Sequence, residues 1–152
     1  MDCYVCVQEA NFDVGAEYQT LAQDPQCGAV VTFTGLVRDL PGGGLQGIEL
    51  EHYPEMTERL LLQLCERAQA RWQVKAIRLI HRVGMIHLNE SIVFLGVASA
   101  HRKEAFAAGE FIMDYLKTQA PFWKKELTQT GSYWVAAKAS DMDAVSRWQQ
   151  DD

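Results

Sequence analysis

The chain has 152 residues, of which 48% are hydrophobic and 22% are charged, and its net charge is -6. This length suits one domain with its own core, so we expect a single domain over residues 1–152. The acidic balance argues against broad binding to nucleic acids or membrane surfaces, because both need a basic face. No signal-peptide pattern and no apolar run of about 20 residues is found, so we expect a cytoplasmic protein.

The first third of the chain predicts strands separated by one helix and one loop. Residues 28–35 are β-branched and aromatic, which predicts a strand. The run Pro41-Gly42-Gly43-Gly44 predicts a flexible loop over residues 36–46. Residues 47–53 alternate apolar and polar, which predicts a strand with one face in water. Weaker patterns predict a strand over 3–8 and a helix over 14–23.

A long amphipathic helix is predicted after Pro54, because a proline in the first turn loses no hydrogen bond. Apolar residues repeat every four positions along one face, and two more lie beside them. The stripe is Met56, Leu60, Leu64, Ala68 and Trp72, with Leu61 and Cys65 beside it. Strands are predicted over 74–83 and 92–98, and the second is apolar on both faces, which is typical of a central strand.

A second long helix is predicted from a cap at Ser99 to about Lys117. Its inner stripe and flanking residues are Ala105, Ala108, Ile112 and Leu116, with Phe106, Gly109 and Met113. Pro121 prevents its continuation. Strands over 122–127 and 133–137 and a short helix over 141–148 complete the chain. Adjacent strands without an intervening helix favour an α+β fold with an antiparallel or mixed sheet.

The cysteines form no recognisable metal-binding pattern. Cys3 and Cys6 make a C-x-x-C pair, but no second pair follows at zinc-site spacing. Positions 3 and 6 of a strand also point to opposite faces. We favour buried or incidental thiols over a structural metal. The absence of G-x-G-x-x-G after a strand and of a Walker A motif disfavours a nucleotide-binding fold.

The run from His101 to Glu126 gathers basic residues at both ends of the second helix. His101 and Arg102 fall in its first turn, where free N–H groups and the helix dipole attract anions. Lys117 falls in its last turn, and Lys124 follows Trp123 on the next strand, where a ring would partly desolvate it. The alternatives are a solvated first turn, a lysine that stabilises the dipole, and an edge-strand lysine.

A second candidate site lies where the strand over 28–35 ends. Arg38 stands at the mouth of the glycine-rich loop, and loops at strand ends commonly carry ligand contacts. His52 and His81 are interpreted as strand histidines without a catalytic role. Glu49 and Glu51 are interpreted as a solvated strand face.

Several separate motifs, taken together, resemble one protein family. They are Gly28-Ala-Val-Val-Thr-Phe-Thr-Gly35 with Val37-Arg38, Leu50-Glu-His-Tyr-Pro54 with Met56-Thr57, His81-Arg-Val-Gly84, Ala100-His-Arg102, Phe111-Ile-Met-Asp-Tyr-Leu-Lys117 and Ala120-Pro-Phe-Trp-Lys-Lys-Glu126. Over roughly residues 12–148 the chain resembles the large, catalytic subunit of molybdopterin synthase.

The resemblance implies an α/β hammerhead fold with an additional antiparallel β subdomain. It also implies a homodimer with one small ubiquitin-like sulfur-carrier subunit at each end, which together make a heterotetramer. The carrier's C-terminal Gly-Gly thiocarboxylate would deliver sulfur to cyclic pyranopterin monophosphate, giving molybdopterin in molybdenum cofactor biosynthesis. Because the sulfur comes from the carrier, no catalytic cysteine, metal or cofactor is expected.

The site residues are carried over motif by motif. Lys117 and Lys124 resemble the two catalytic lysines. The pocket for the pterin phosphate and the carrier tail would comprise Arg38, His101 and Arg102, with Phe33 and Met113 as walls. Lys138 replaces the arginine of the family's W-V-x-A-R segment, so the charge is kept and the bidentate fork is lost.

Two other functions stay open from the residues alone. One is a non-catalytic docking module that clasps the tail of a ubiquitin-like protein along a sheet edge. The other is a sensor of small anions that has no partner protein. Turnover with a thiocarboxylated carrier discriminates the enzyme from both.

Overall fold

The computed structural model describes residues 2–135 together with Val145 and Trp148. Within this part the chain forms three helices and eight strands in two sheets, which confirms the α+β class. The helices are α1 (Val14–Leu21), α2 (Met56–Arg71) and α3 (Arg102–Gln119). The strands are β1 (Asp2–Gln8), β2 (Ala29–Leu36), β3 (Leu45–His52), β4 (Ala76–Arg82), β5 (Gly84–His87), β6 (Ser91–Ser99), β7 (Phe122–Thr128) and β8 (Gly131–Val135).

Two predictions concern residues beyond this part. Lys138 lies outside the described residues. So does the predicted helix over 141–148, apart from Val145 and Trp148, which both pack against the largest core cluster. None of the helices in the described part combines the length and apolar character that a membrane crossing needs.

The first sheet is mixed, with strand order β1-β4-β6-β2. β1 runs parallel to β4, and the other pairs are antiparallel. β6 is flanked on both sides and is buried from Val93 to Ser99, as its two apolar faces predicted. The largest core lies under α2 and α3, and a smaller one lies with α1 on the other face. Cys3 packs against the first and Cys6 against the second, which confirms their opposite directions.

The second sheet is antiparallel throughout, with order β5-β3-β7-β8. It is the additional β subdomain that the resemblance implies. Ile48 and Leu50 of β3 are buried and Glu51 is exposed, which confirms the predicted alternation. β5 was not predicted, because four residues are too few to show a period. It crosses so close to Gly47 that a Cβ there would lie 2.6 Å from the carbonyl oxygen of Ile86.

The buried face of α2 is rotated from the predicted one. The buried residues are Thr57, Leu61, Leu64, Cys65 and Ala68, whereas Met56 and Leu60 are 48% and 37% exposed. Residues spaced every four positions do not stay on one face of a helix with 3.6 residues per turn, so Met56 and Leu60 lie outside the core. The helix also begins two residues after Pro54, behind a Glu55 with a positive φ of 69°.

The start of α3 also differs from the prediction. Its N-cap is His101, and Ser99 is instead the last residue of β6, where its hydroxyl donates a hydrogen bond to the carbonyl of His101. Arg102 is therefore the first helical residue. The predicted inner stripe is buried, but Phe106 is 61% exposed. Only two residues link β6 to α3, so the helix turns back along the sheet and packs on β6 and β2.

Candidate active site

The first feature of the site is the anion end, which we define as His101 and Arg102 at the start of α3. Both side chains are exposed, beside the first backbone N–H groups of the helix. The N–H of Gly28 donates to the carbonyl of Ser99 at 3.0 Å. A Cβ on Gly28 would lie 2.5 Å from the carbonyl oxygen of Ala100, so this close approach requires glycine. The geometry suits a small anion.

The second feature is the lysine end, which comprises Arg38, Lys117 and Lys124. Arg38 is exposed and follows the buried Val37, whose N–H donates to Glu90 (3.0 Å) and whose carbonyl accepts from Asn89 (2.8 Å). β2 and β6 are antiparallel, and α3 runs back along β6. The C-terminal ends of β2 and α3 therefore lie at the same end of the sheet, where its strands begin or finish. This topology brings Arg38 and Lys117 to the same end of the sheet.

The structure separates the anion end from the lysine end of the same chain. Arg102 and Lys117 are fifteen residues apart on one continuous helix. At 1.5 Å per residue the separation along the axis is about 22 Å. The candidate residues therefore form two groups in the described chain, as basic residues at both ends of the predicted helix suggested, and Arg38 falls in the group of Lys117.

Lys124 lies on the inner face of β7. It pairs with the buried Leu50 across the sheet and shares its strand face with Phe122, two residues earlier. Its neighbour Lys125 points to the opposite face, where its ammonium lies 4.5 Å from the ring centre of Trp134. Both lysines are half-buried, but they face opposite sides of β7, and Lys124 shares its side with Phe122 at the α3–β7 connection.

Phe33 and Met113 line a common groove between β2 and α3. The cavity measures about 290 Å³, and its other walls include Phe106 and Glu110. Met113 precedes Lys117 by four residues, so the two side chains occupy the same face of α3. The groove therefore leads along the helix toward Lys117. Phe33 and Phe106 are 43% and 61% exposed at its rim.

Comparisons with known proteins show the family of this chain. The family model described as "MoaE protein" matches residues 7–119. The chain is 55% identical over 150 residues to the molybdopterin synthase catalytic subunit of Vibrio cholerae, covering 98% of this chain and 100% of the relative. The chain belongs to the MoaE family.

Solved structures show the same MoaE fold. The MoaE protein of Burkholderia ambifaria has a TM-score of 0.83 and 43% identity, covering 97% of this chain and 98% of its own. A chain of the complex of subunits 1 and 2 of molybdopterin-converting factor from Helicobacter pylori has a TM-score of 0.75 and 20% identity, covering 88% and 91%. The second likeness concerns the fold alone.

One cluster at the lysine end of this MoaE-family chain was missed by sequence reasoning. The ring of Phe122 has two histidine neighbours. The ring of His81 is stacked on it, with 3.9 Å between the centroids and 16° between the planes, and that of the cross-strand partner His52 is 6.4 Å away at 27°. His52 Nε2 is 3.7 Å from a carboxylate oxygen of Glu58. His81 is buried, and its Nδ1 lies 2.8 Å from the carbonyl oxygen of Arg82. The only signal in the sequence was that each histidine lies near the end of a strand.

Burial keeps His81 neutral. Desolvation lowers its pKa from 6.5 to about 4, the hydrogen bond to the Arg82 carbonyl opposes this shift, and the charges of Lys117 and His52 lower the pKa further. A carbonyl oxygen only accepts, so Nδ1 carries the proton and Nε2 of the neutral ring has a lone pair. Lys117 therefore has a neutral neighbour at physiological pH.

This pKa predicts a loss of stability in mild acid. Between pH 6.5 and pH 4 the unfolded chain binds a proton at His81 that the folded chain excludes, so the free energy of unfolding falls as the pH falls. From pH 7.5 to pH 5 the loss should be about 2 kcal/mol greater in the wild type than in His81→Phe. Urea unfolding at both pH values measures it. Equal losses in the two proteins would contradict the assigned pKa. The control His87→Gln changes an exposed histidine, and its loss of unfolding free energy between the two pH values should equal that of the wild type.

Proposed function

We propose that this chain transfers sulfur from the C-terminal thiocarboxylate of a small ubiquitin-like carrier to cyclic pyranopterin monophosphate, forming the dithiolene of molybdopterin. The observation that carries the proposal is the lysine end, where Lys117 and Lys124 lie on either side of Phe122 in the chain and Lys117 lies at the same end of the mixed sheet as Arg38. The chain's membership in a family of molybdopterin synthase catalytic subunits supports it.

The roles follow from what each side chain offers. Arg38 supplies a bidentate donor for the phosphate or the carrier tail. Lys117 assists the attack of the thiocarboxylate sulfur, by transferring a proton or by stabilising the charge that develops. Lys124 has a supporting acid/base or electrostatic role. Arg102 binds an anion through its charge, together with the His101 side chain and the free N–H groups at the start of α3.

We further propose that a homodimer completes the site. A cyclic pterin phosphate is shorter than the separation of about 22 Å between the two ends of α3, so one chain does not hold it with both groups. In a two-fold dimer whose α3 helices run in opposite directions, the anion end of one copy meets the lysine end of the other.

β2 is the terminal strand of its sheet in the described structure, and Phe33, Leu36 and Phe106 are exposed beside it. This unpartnered apolar surface supports self-association through the groove between β2 and α3.

Placing a charge on this surface should disrupt the dimer. Phe106→Asp introduces a carboxylate at the rim of the groove without entering the core, because Phe106 is 61% exposed. We expect the variant to stay folded and to become monomeric in analytical ultracentrifugation at micromolar concentration. Tyr18→Asp is a matched control, since Tyr18 is 42% exposed on α1. A Phe106→Asp protein that remains dimeric would exclude the groove as the interface.

The carrier is the second proposed partner. The Helicobacter pylori structure of the same fold is a complex of two subunits of molybdopterin-converting factor. By extension, one carrier would bind at each end of the homodimer and direct its Gly-Gly tail to the lysine end. The complete assembly would be a heterotetramer.

Turnover tests the function directly. The chain is incubated with thiocarboxylated carrier and cyclic pyranopterin monophosphate, and molybdopterin is quantified. Product formation supports the enzyme. Carrier binding without product supports the docking module instead, and binding of the pterin phosphate with no carrier association supports the anion sensor.

A further inference from the structure

The α3–β7 connection holds both lysines of the lysine end close to one aromatic ring. Lys117 lies five residues before Phe122, and Lys124 lies two residues after it. Only Ala120 and Pro121 separate the end of α3 from Phe122, whose N–H donates to the carbonyl of Ala120 at 2.9 Å. The placement of the Phe122 ring therefore constrains both lysines.

Phe122 also joins the two sheets. It begins β7 of the antiparallel sheet and packs against both the core under α3 and a third core cluster, which includes Ile48 and Leu50 of β3 and Ile86 of β5. Its closest ring partner is His81 of the mixed sheet, at 3.9 Å between ring centroids. On β4, His81 shares a face with Ile77 and Leu79, which belong to the core under α3. The ring of His81 is thus a direct stacking contact between the mixed sheet and the α3–β7 connection.

The His81 ring is itself held in one orientation. Its Nδ1–H donates to the carbonyl of Arg82 on the same strand, and only 5% of the residue is exposed. The charged and titratable groups around it are Lys117 on α3, His52 on β3 with Glu58 of α2 beyond it, and Arg82 on β4. A neutral ring adds no repulsion to Lys117 and leaves the flat face free for stacking.

We propose that His81 is a positioning residue for the lysine pair: by stacking on Phe122 it fixes the α3–β7 connection, so that Lys117 and Lys124 face the same substrate. The inference rests on the proposed function, because it assigns the two lysines to catalysis. His81 itself touches neither the carrier nor the pterin in this proposal. Its effect passes through the Phe122 ring.

Three variants separate stacking from other effects. His81→Ala removes the ring, His81→Phe keeps a ring that can stack, and His87→Ala changes an exposed histidine on β5 as a control. All are assayed as the complete complex with thiocarboxylated carrier, at a temperature where each is fully folded. We expect His81→Ala to lower kcat about tenfold or more while carrier affinity is unchanged, because small displacements of catalytic groups cost rate rather than binding. His81→Phe should restore most of kcat, and His87→Ala should match the wild type.

A measurement without substrate distinguishes failure of this proposal from failure of the proposed function. Amide hydrogen exchange is followed over residues 117–124 in the chain alone. We expect faster exchange in His81→Ala that is confined to this segment and reversed in His81→Phe. Exchange that is unchanged in His81→Ala, or a folded His81→Ala complex with wild-type kcat, would overturn the positioning role. If the wild type yields no molybdopterin, the proposed function fails and the exchange data alone decide on His81.

Discussion

Lys117→Ala is expected to lower kcat for dithiolene formation by at least about 100-fold, the usual loss when a positioned acid/base or charge-stabilising group is removed. The Lys117 side chain is exposed in the last turn of α3, so its truncation should leave the fold and the carrier affinity unchanged. Single-turnover formation of molybdopterin measures the rate, and titration with labelled carrier measures the affinity. A folded variant with wild-type turnover would remove Lys117 from the mechanism.

Two further variants make this result specific. Lys75→Ala changes another exposed lysine, between α2 and β4, and should keep full activity. Lys117→Arg keeps the charge but holds its proton near neutral pH. Activity in Lys117→Arg would therefore assign an electrostatic role to the lysine, and loss of activity would assign proton transfer.

Mixing two inactive variants should restore activity if the site is shared between copies. Arg102→Ala and Lys117→Ala each damage a different end of α3, and a mixed dimer contains one site in which both ends are intact. With random exchange, half of the dimers are mixed and half of their sites are complete, so activity should return to about a quarter of the wild type. Exchange is verified by co-purification through a tag on one variant.

The same experiment includes an internal control. Lys117 and Lys124 both belong to the lysine end, so mixing Lys117→Ala with Lys124→Ala should restore nothing. Recovery in this pair would contradict the assignment of both lysines to one site. Absence of recovery in the Arg102 and Lys117 pair, despite verified exchange, would contradict a site shared between copies.

Local patterns in the sequence predicted the elements well, because strand composition, helix period and proline position act over a few residues. As predicted, β6 is central, buried and exposed residues alternate in β3, and the inner stripe of α3 is buried. The errors arose where contacts between residues distant in the sequence determine the secondary structure. Ser99 has the chemistry of a cap, but pairing with Ala29 extends β6 through it. The four residues of β5 form a strand because β3 lies beside them.

The motifs indicated Arg38, Arg102, Lys117 and Lys124 as candidate site residues, and the predicted helix from Ser99 to about Lys117 already placed Arg102 and Lys117 at opposite ends. Sequence order alone does not show that Arg38, which the resemblance grouped with Arg102, follows a strand that ends on the same side as Lys117. His81 was interpreted as a strand histidine without a catalytic role, because its partner Phe122 is 41 positions away and the contact forms only when the two sheets meet. Stacking of this kind has no local signature.

The shared face of Phe106, Met113 and Lys117 makes the length of α3 as important as its composition. Deleting one residue between Phe106 and Met113 would rotate the following part of the helix by about 100° relative to the preceding part. Met113 and Lys117 would then leave the groove side together, and the apolar stripe after the deletion would turn toward water. Substitutions along the exposed side of α3 are therefore compatible with this architecture, whereas single-residue insertions and deletions within it are not.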